Sequence, residues 1–297
     1  MKYPIALIGL LFFSLNSFAS LKIASYNIRN FDSGKNKTNK IKLEKILNDL
    51  NSDIVVVEEI VNKNSFKRFI SNSFPEYKVK LSSCGGRGNQ KIGFMYKKDR
   101  FDLKKFYEDS RISNPSRSSQ SVSCGRLRPA VIGEFYDKNN KKDFTLIGLH
   151  LKAGSSKTSF FQRWKQYDTL SEIVSELKNT NHKNILILGD LNTTGYKNMD
   201  LDYDMFQNLL SEINMSTISE KIMCTSYWSG FNRQDDIEEA STLDHIIYPS
   251  TFMGFATNKI KVHSHCKRAY CNDVSAKDLG LSYKTVSDHC PISITFK

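Results

Sequence analysis

Proline is scarce in this 297-residue sequence, with only 6 residues, and no Pro/Ser-rich stretch separates one part from another. With no marked linker, residues 20–297 read as one domain. Internal repeats are also missing, which argues against solenoid and propeller architectures. Beyond the first twenty residues, no apolar run approaches the ~20 residues needed to span a bilayer. Acidic residues are the minority, 31 against 43 Lys and Arg, for a net charge of +12. Such a surplus disfavours basic partners and favours polyanions such as nucleic acid. The arrangement H-x-H-C-x4-C at His263, His265, Cys266 and Cys271 offers a zinc site as the rival to a disulfide there, although its spacing matches no structural zinc pattern well.

The first segment reads as a secretory leader. Lys2 supplies a positive start, Ile5 to Leu15 an apolar core, and Ser17-Phe18-Ala19 a small-residue site. The expectation is cleavage after Ala19 and a soluble protein, secreted or periplasmic. No cysteine follows the apolar core, so nothing suggests a lipid anchor. All 6 cysteines lie beyond the leader: Cys84, Cys124, Cys224, Cys266, Cys271 and Cys290. In an oxidising compartment an even count allows a disulfide framework whose connectivity stays open. Cys266 and Cys271 enclose only Lys-Arg-Ala-Tyr and could close a small loop.

The rest of the chain alternates short apolar runs with helical patterns. LKIASYNI (21–28), DIVVVEEI (53–60), KIGFMYKK, RPAVIGEFY, DFTLIGLHL, ILILGDLN (185–192), STLDHIIYP and PISITF read as strands. Ile41, Leu43, Ile46, Leu47 and Leu50 fit one helical face. The spacing of Phe160, Phe161, Trp164, Tyr167, Leu170, Ile173, Val174 and Leu177 predicts a helix over 158–178. This alternation implies α/β layering. Residues 108–129, rich in Ser and Arg, form a long loop in which Arg111, Arg117, Arg126 and Arg128 offer cations to a phosphate.

Polar residues recur where these strands end. Asn27, Glu59, His150, Asp190 and Asn192 close strands, Asp244 opens one, and Asp288-His289 precede the last. An ionisable group is expensive to bury alone, so converging ends would form one cleft of carboxylates, amides and imidazoles. Carboxylate and amide oxygens are hard ligands for Mg²⁺, Mn²⁺ or Ca²⁺. A histidine paired with a carboxylate can take a proton from water near neutral pH. That donor set suits metal-assisted phosphoester hydrolysis.

SYNIRNF, VVEEI, GLHLKAG, GDLN, LDHII and SDHCP, in that order, resemble the motifs of the endonuclease/exonuclease/phosphatase superfamily, to which deoxyribonuclease I belongs. The resemblance covers residues 21–297. It implies a four-layer αββα sandwich, two packed mixed β-sheets with helices outside. It also implies that Glu59 is the principal metal ligand, with Asn27 and Asp288 completing the metal side. Asp190 and Asn192 would position the attacking water and the scissile phosphate. His289 would be the general base oriented by Asp244, and His150 the second catalytic histidine.

The sequence departs from that pattern at several points. Glu58 stands where the family usually has Gln, and is expected either to face away or to add charge near the metal. Gln90 takes the place of a carboxylate expected to pair with His150. Apolar Val61 replaces a groove-reading arginine. The phosphate-binding arginine is Arg128, or Arg126 in a slightly different register. Arg111 and Arg163 are further candidate substrate contacts, Arg163 because it follows closely on His150.

The expected activity is a Mg²⁺- or Mn²⁺-dependent nuclease of low sequence specificity, acting on DNA or alternatively RNA, as a monomer without stable membrane insertion. An additional structural Ca²⁺ is left open. The competing reading is a phosphodiesterase of the same family acting on a lipid such as sphingomyelin or on another small phosphoester. That reading needs an exposed apolar loop, for which TFMGF (251–255) is the candidate.

Overall fold

The computed structural model describes residues 19–34, 37–114, 124–182, 184–230, 235–254 and 257–297. The leader up to residue 18, and Arg117, lie outside the described residues. The chain runs through β1 (Leu21–Asn27), α1 (Lys40–Leu50), β2 (Ile54–Ile60), α2 (Lys63–Ser73), β3 (Tyr77–Leu81), β4 (Lys91–Lys97), β5 (Phe101–Asp109), β6 (Ala130–Asp137) and β7 (Lys142–His150). It continues with α3 (Lys157–Asn179), β8 (Ile185–Asp190), α4 (Leu201–Ile213), β9 (Ser216–Thr217), β10 (Ser226–Trp228), β11 (Ile237–Ser241) and β12 (Asp244–Tyr248). It closes with β13 (Thr257–Val262), α5 (Ser264–Arg268), β14 (Val274–Ser275), α6 (Ala276–Thr285) and β15 (Ile292–Phe296).

Two six-stranded sheets carry the fold, ordered β13-β15-β1-β2-β4-β3 and β5-β6-β7-β8-β12-β9. Each is mixed, with one parallel pair inside it: β1 with β2, and β7 with β8. A parallel pair needs a crossover, supplied by α1 in the first sheet and α3 in the second. Both pairs are central in their sheets and therefore deliver their C-terminal ends, Asn27 with Glu58-Glu59 and His150 with Asp190, to one end of their own sheet.

Strand alternation sorts the side chains into layers. Ile23, Val56 and Phe94 of the first sheet face Val131, Leu146, Leu188 and Ile246 of the second, forming the core between the sheets. The odd-numbered Val55 and Val57 of β2 point the other way, onto α1 and α2. Ile147, Leu149, Ile185 and Ile187 point outward onto α3 and α4. The result is helices, sheet, sheet, helices, the four-layer α/β sandwich. Phe135 anchors the central layer, stacked on Phe144 at 5.4 Å and edge-on to Phe94 and Tyr96 at the same distance. Each such ring pair contributes about 0.5–1.5 kcal/mol beyond area burial.

Some expected elements shift. The helix expected at 158–178 spans Lys157–Asn179, but Phe161 on its first turns is exposed, while Arg163 and Gln166 are buried there. Ile41 is exposed on α1, whose buried face is Leu43, Ile46, Leu47 and Leu50. The small loop that a Cys266–Cys271 bond would close does not form. The disulfides are Cys84–Cys124, Cys224–Cys271 and Cys266–Cys290. The last two staple a small third sheet (β10, β11, β14) and α5 to the segment that precedes β15. Their sulfurs are thereby unavailable as thiolate ligands, which removes the zinc alternative at His265.

Candidate active site

Strand register brings the polar ends together. In the parallel β7–β8 pair His150 stands opposite Asp190, and in the antiparallel β8–β12 pair Asp244 does too. Asn27 stands opposite Glu58 in β1–β2. A side-chain hydrogen bond then links the two sheets, Asn27 Nδ2 donating to Asp190 Oδ2 at 3.0 Å. That same oxygen lies 3.4 Å from His150 Nε2 and 3.7 Å from His289 Nε2. Asp190 Oδ1 accepts from the Asn192 backbone N–H at 2.9 Å. Asp190 is the hub of the cluster.

Local backbone conformation makes this convergence work. Gly189 has φ +146°, and a Cβ there would lie 1.9 Å from the Leu149 carbonyl oxygen. Only glycine fits that conformation and that approach. Asn192 is left-handed at φ 53°, a region asparagine tolerates, and its Nδ2 donates to the Leu151 carbonyl at 3.3 Å. On β2 the register against β4 slips between Val57 and Ile60, and Glu59 turns to φ 60°. This bulge re-aims the Glu59 carboxylate. Its Oε2 accepts from the Asn30 N–H at 2.8 Å, and its Oε1 from Asn27 Nδ2 at 3.3 Å. Oε1 also lies 3.7 Å from His150 Nε2.

The segment Ser287 to Cys290 is pinned on every side. Ser287 Oγ donates to the Asn27 carbonyl at 2.7 Å and accepts from the His289 N–H at 3.0 Å. Tyr227 N–H donates to the Asp288 carbonyl, and Cys290 N–H to that of Thr225. The Cys266–Cys290 bond holds the following residue. Held this way, His289 Nδ1 meets Asp244 Oδ2 at 2.8 Å. Asp244 is itself anchored, since its N–H and that of Leu243 both donate to Thr225 Oγ1.

The electrostatics divide the two histidines. Burial alone lowers His289, but Asp244 and then Asp190 outweigh it and hold the imidazole well above its ordinary value. Burial, assisted by the positive charges of Arg128 and His289, holds His150 well below its own. Asp190 is raised above the usual carboxylate range by burial, with Asp244 and Glu59 adding to it against the pull of His289. Glu58 is fully buried, accepts from Ser25 Oγ at 2.7 Å, and is pushed well above the carboxylate range, chiefly by burial. It faces inward and presents no charge to the opening.

The chemistry of the donors fits a hard divalent cation. Glu59, His150 and Asp190 offer ligand atoms within 4.8 Å of one another, as do Asp190, Asp244 and His289. Asp288 belongs to neither group. Its Oδ1 lies 3.9 Å from Arg29 Nε and, like Asp244 Oδ1, is a buried oxygen with no hydrogen bond among the described residues. An excess of buried carboxylate over cationic partners is costly unless a cation offsets it.

The candidate substrate residues separate. Arg128 is buried beside the cluster, donating from Nε to the His150 carbonyl at 3.0 Å and from Nη2 to that of Leu151. Arg126 is exposed on the adjoining loop. Gln90 does not reach His150. Its Nε2 donates to Asn30 Oδ1 at 3.0 Å, and His150 Nδ1 is buried without a partner among the described residues. Arg163 is no substrate contact, because it is fully buried. It is paired with Asp202 at 2.8 Å and also donates to the Lys152 and Gly154 carbonyls and to Thr194 Oγ1. Those bonds occupy its whole guanidinium. Arg111 is likewise held between Asp109 and Glu176, both at 2.7 Å, which raises its pKa further. Arg87 and Lys152, which line a pocket with Arg126 and Arg128, carry no sequence signal beyond their charge.

No family model matches the sequence, and no curated protein matches it. Solved structures do. A Bacteroides thetaiotaomicron mannosyl-6-phosphatase superposes with TM-score 0.62 at 18% identity over 93% of this chain and 99% of that one. D. rerio TDP2 complexed with single-strand DNA product gives 0.63 at 14% identity, over 94% and 99%. The human Nocturnin catalytic domain with a bound sulfate gives 0.61 at 15% identity, over 94% of each chain. This chain has the deoxyribonuclease I-like fold of the endonuclease/exonuclease/phosphatase proteins.

Proposed function

We propose that the chain is an exported, divalent-metal-dependent phosphodiesterase that hydrolyses nucleic acid, DNA in the first place, with little sequence specificity. The observation that carries this reading is the convergence on Asp190 of both sheets, through Asn27, His150 and the Asp244–His289 pair. Glu59, Asn27 and Asp288 would hold Mg²⁺ or Mn²⁺ on one side of it. A bound divalent ion supplies Lewis-acid polarisation of a phosphoryl oxygen and offsets charge on the leaving oxygen.

The chain's own groups do the rest. Asp244 fixes the His289 ring through Nδ1, leaving Nε2 on the Asp190 side to take a proton from water. The carboxylates that raise His289 lose part of their field once neutralised, which returns the imidazole toward the range where it accepts a proton near neutral pH. His150 stays neutral, with Nδ1 unpartnered and Nε2 toward carboxylate oxygens. Its Nε2–H is the donor available to a phosphoryl oxygen. Asn192, with Asp190, would orient water and phosphate, and Arg128 adds a fixed positive charge beside them.

The fold does not choose a substrate, and the superposed structures include both a mannosyl-6-phosphatase and a DNA-bound TDP2. The net charge of +12 favours a polyanion. In the candidate loop of the lipid reading, Phe252 and Met253 are buried, and Phe255 lies outside the described residues. Export is supported by the leader pattern and by the pairing of all six cysteines. The test is supercoiled plasmid with Mg²⁺, with EDTA and His289→Ala as controls. Nicking that disappears in both controls supports the reading, whereas no cleavage of DNA or RNA with Mg²⁺ or Mn²⁺ overturns it.

A further inference from the structure

Beside His150 lies a pocket of about 580 Å³ that no step above uses. Arg87, Arg126, Arg128 and Lys152 line it, and among the described residues no carboxylate does. Asn114 and Gln162 add amides, and Leu127 and Ala153 an apolar wall. Arg87 and Arg126 form no ion pair among the described residues. Arg100, Arg111 and Arg163 pair with acids, whereas around this pocket buried Arg128, half-buried Lys152 and exposed Arg87 and Arg126 bring four cations together with no acid among the described lining residues. Their mutual repulsion is unfavourable until an anion enters.

The two loops that carry these arginines are built against each other. Cys84–Cys124 joins them covalently, and the Arg87 N–H donates to the Arg126 carbonyl at 3.0 Å. Gly86, at φ +63°, brings the loops so close that a Cβ would lie 2.8 Å from that carbonyl oxygen. Glu108 caps the Ser83 and Cys84 N–H groups at 2.6 and 3.0 Å, so its charge serves the backbone and not an arginine. Arg128 bridges pocket and catalytic centre, holding the carbonyls of His150 and Leu151 from one side. Lys152 follows them directly in the chain.

We infer that this pocket is a second phosphate subsite, taking the nucleotide that flanks the scissile bond on the His150 side, with Arg87 and Arg126 as its specificity-determining residues. The volume lies within the range of small-ligand pockets and suits one nucleotide unit. The inference rests on the phosphodiesterase reading for its catalytic consequence, but not for its binding one. It makes the preferred substrate a chain carrying at least two phosphates, and a compact phosphomonoester or a single diester a poor one.

Two measurements on the full-length protein test it, using Arg87→Glu, Arg126→Glu and the milder Arg87→Gln. In EDTA, a fluorescein-labelled single-stranded oligonucleotide is titrated by anisotropy at several salt concentrations. The slope of log K against log salt should fall by about 0.7 for each arginine lost. A wild-type slope in the variants, or no wild-type binding, overturns the subsite whatever the catalytic result. With Mg²⁺, kcat/KM is compared for the oligonucleotide and for bis(p-nitrophenyl) phosphate. The ratio should drop at least about tenfold through KM, and partially recover in Arg87→Gln. An unchanged ratio overturns the inference. Altered binding slopes in a protein that cleaves neither substrate would retain the subsite and defeat the catalytic reading.

Discussion

His289 Nδ1 and Asp244 Oδ2 lie 2.8 Å apart, and neither side chain has freedom to separate. Asp244 is tied through its N–H to Thr225, and His289 through its N–H to Ser287. The carboxylate therefore sets both the tautomer and the orientation of the ring. Asp244→Asn keeps the shape but presents either an amide N–H to a ring nitrogen or a weaker acceptor. It should lower kcat on a nucleic acid substrate by about 10²–10⁴ with an unchanged far-UV spectrum. Activity within a few-fold of wild type would show that the pair does not serve the reaction.

Glu59 holds its position by a left-handed bulge and an N–H donated from Asn30. Glu59→Gln keeps that hydrogen bond and removes one charge from the carboxylate cluster. A unit charge acting at ~4 Å in an effective dielectric of ~20 is worth on the order of 4 kcal/mol, so a loss of Mg²⁺ affinity beyond tenfold is the expected floor. Calorimetric titration of wild type and variant with Mg²⁺ reads this directly. Equal affinities would remove Glu59 from the metal side.

Much of the architecture is legible in the sequence because strand and helix periods alternate so plainly, and because ILILGD and DFTLIGLH both end in polar residues that the register sets opposite each other. What stays hidden has physical causes. Strand β5 escapes a reading by pattern since its register shifts between Leu103 and Lys105, which breaks the alternation that marks a strand. Residue type cannot sort the arginines: Arg163 is set apart from Arg126 by its partner Asp202, 39 positions away. Disulfide partners 24 to 47 residues apart carry no local signal, and the nearest cysteines in sequence, Cys266 and Cys271, bond elsewhere. The polar tip of Gln90 follows Asn30 rather than His150 for the same reason, a contact set by loop packing.

Gly189 separates the fold's tolerance from the site's. Gly189→Ala would place a methyl group where only 1.9 Å is open to the Leu149 carbonyl and would strain a backbone at φ +146°. Strand β8 has to move, and Asp190 moves with it. The expected cost is at least about 1–3 kcal/mol from the backbone alone, read as a lower urea midpoint. Activity should fall further than stability does at a temperature where the variant remains folded. A variant as stable as wild type would mean that β8 is not held against β7 at this point.

Arg163 and Arg126 should respond oppositely to loss of charge. Arg163→Met strands Asp202 in the interior and removes a donor from the Lys152 and Gly154 carbonyls, and breaking a buried pair from one side costs about 3–5 kcal/mol. Urea unfolding should show that loss, while the salt dependence of oligonucleotide binding by the folded protein stays at the wild-type slope. A shallower slope in Arg163→Met would restore this arginine as a phosphate contact.

His245 makes stability depend on acid in a way that needs no catalysis to observe. The ring is fully buried, with Thr193 Oγ1 at 2.6 Å from Nε2 and Ser219 Oγ at 2.6 Å from Nδ1. Burial lowers its pKa from 6.5 to about 3. The folded state thus binds fewer protons than the unfolded state between those values. Its contribution is fully present above pH ~6.5 and is lost as pH falls toward 3, where the folded ring finally protonates. A tenfold change in a protonation equilibrium corresponds to about 1.36 kcal/mol, so the swing is on the order of several kcal/mol. Urea midpoints measured from pH 7 to pH 4 should fall for the wild type. They should fall less steeply for His245→Gln, which keeps a polar side chain between the two hydroxyls but cannot titrate. Parallel pH profiles for the two proteins would place the acid sensitivity in other groups.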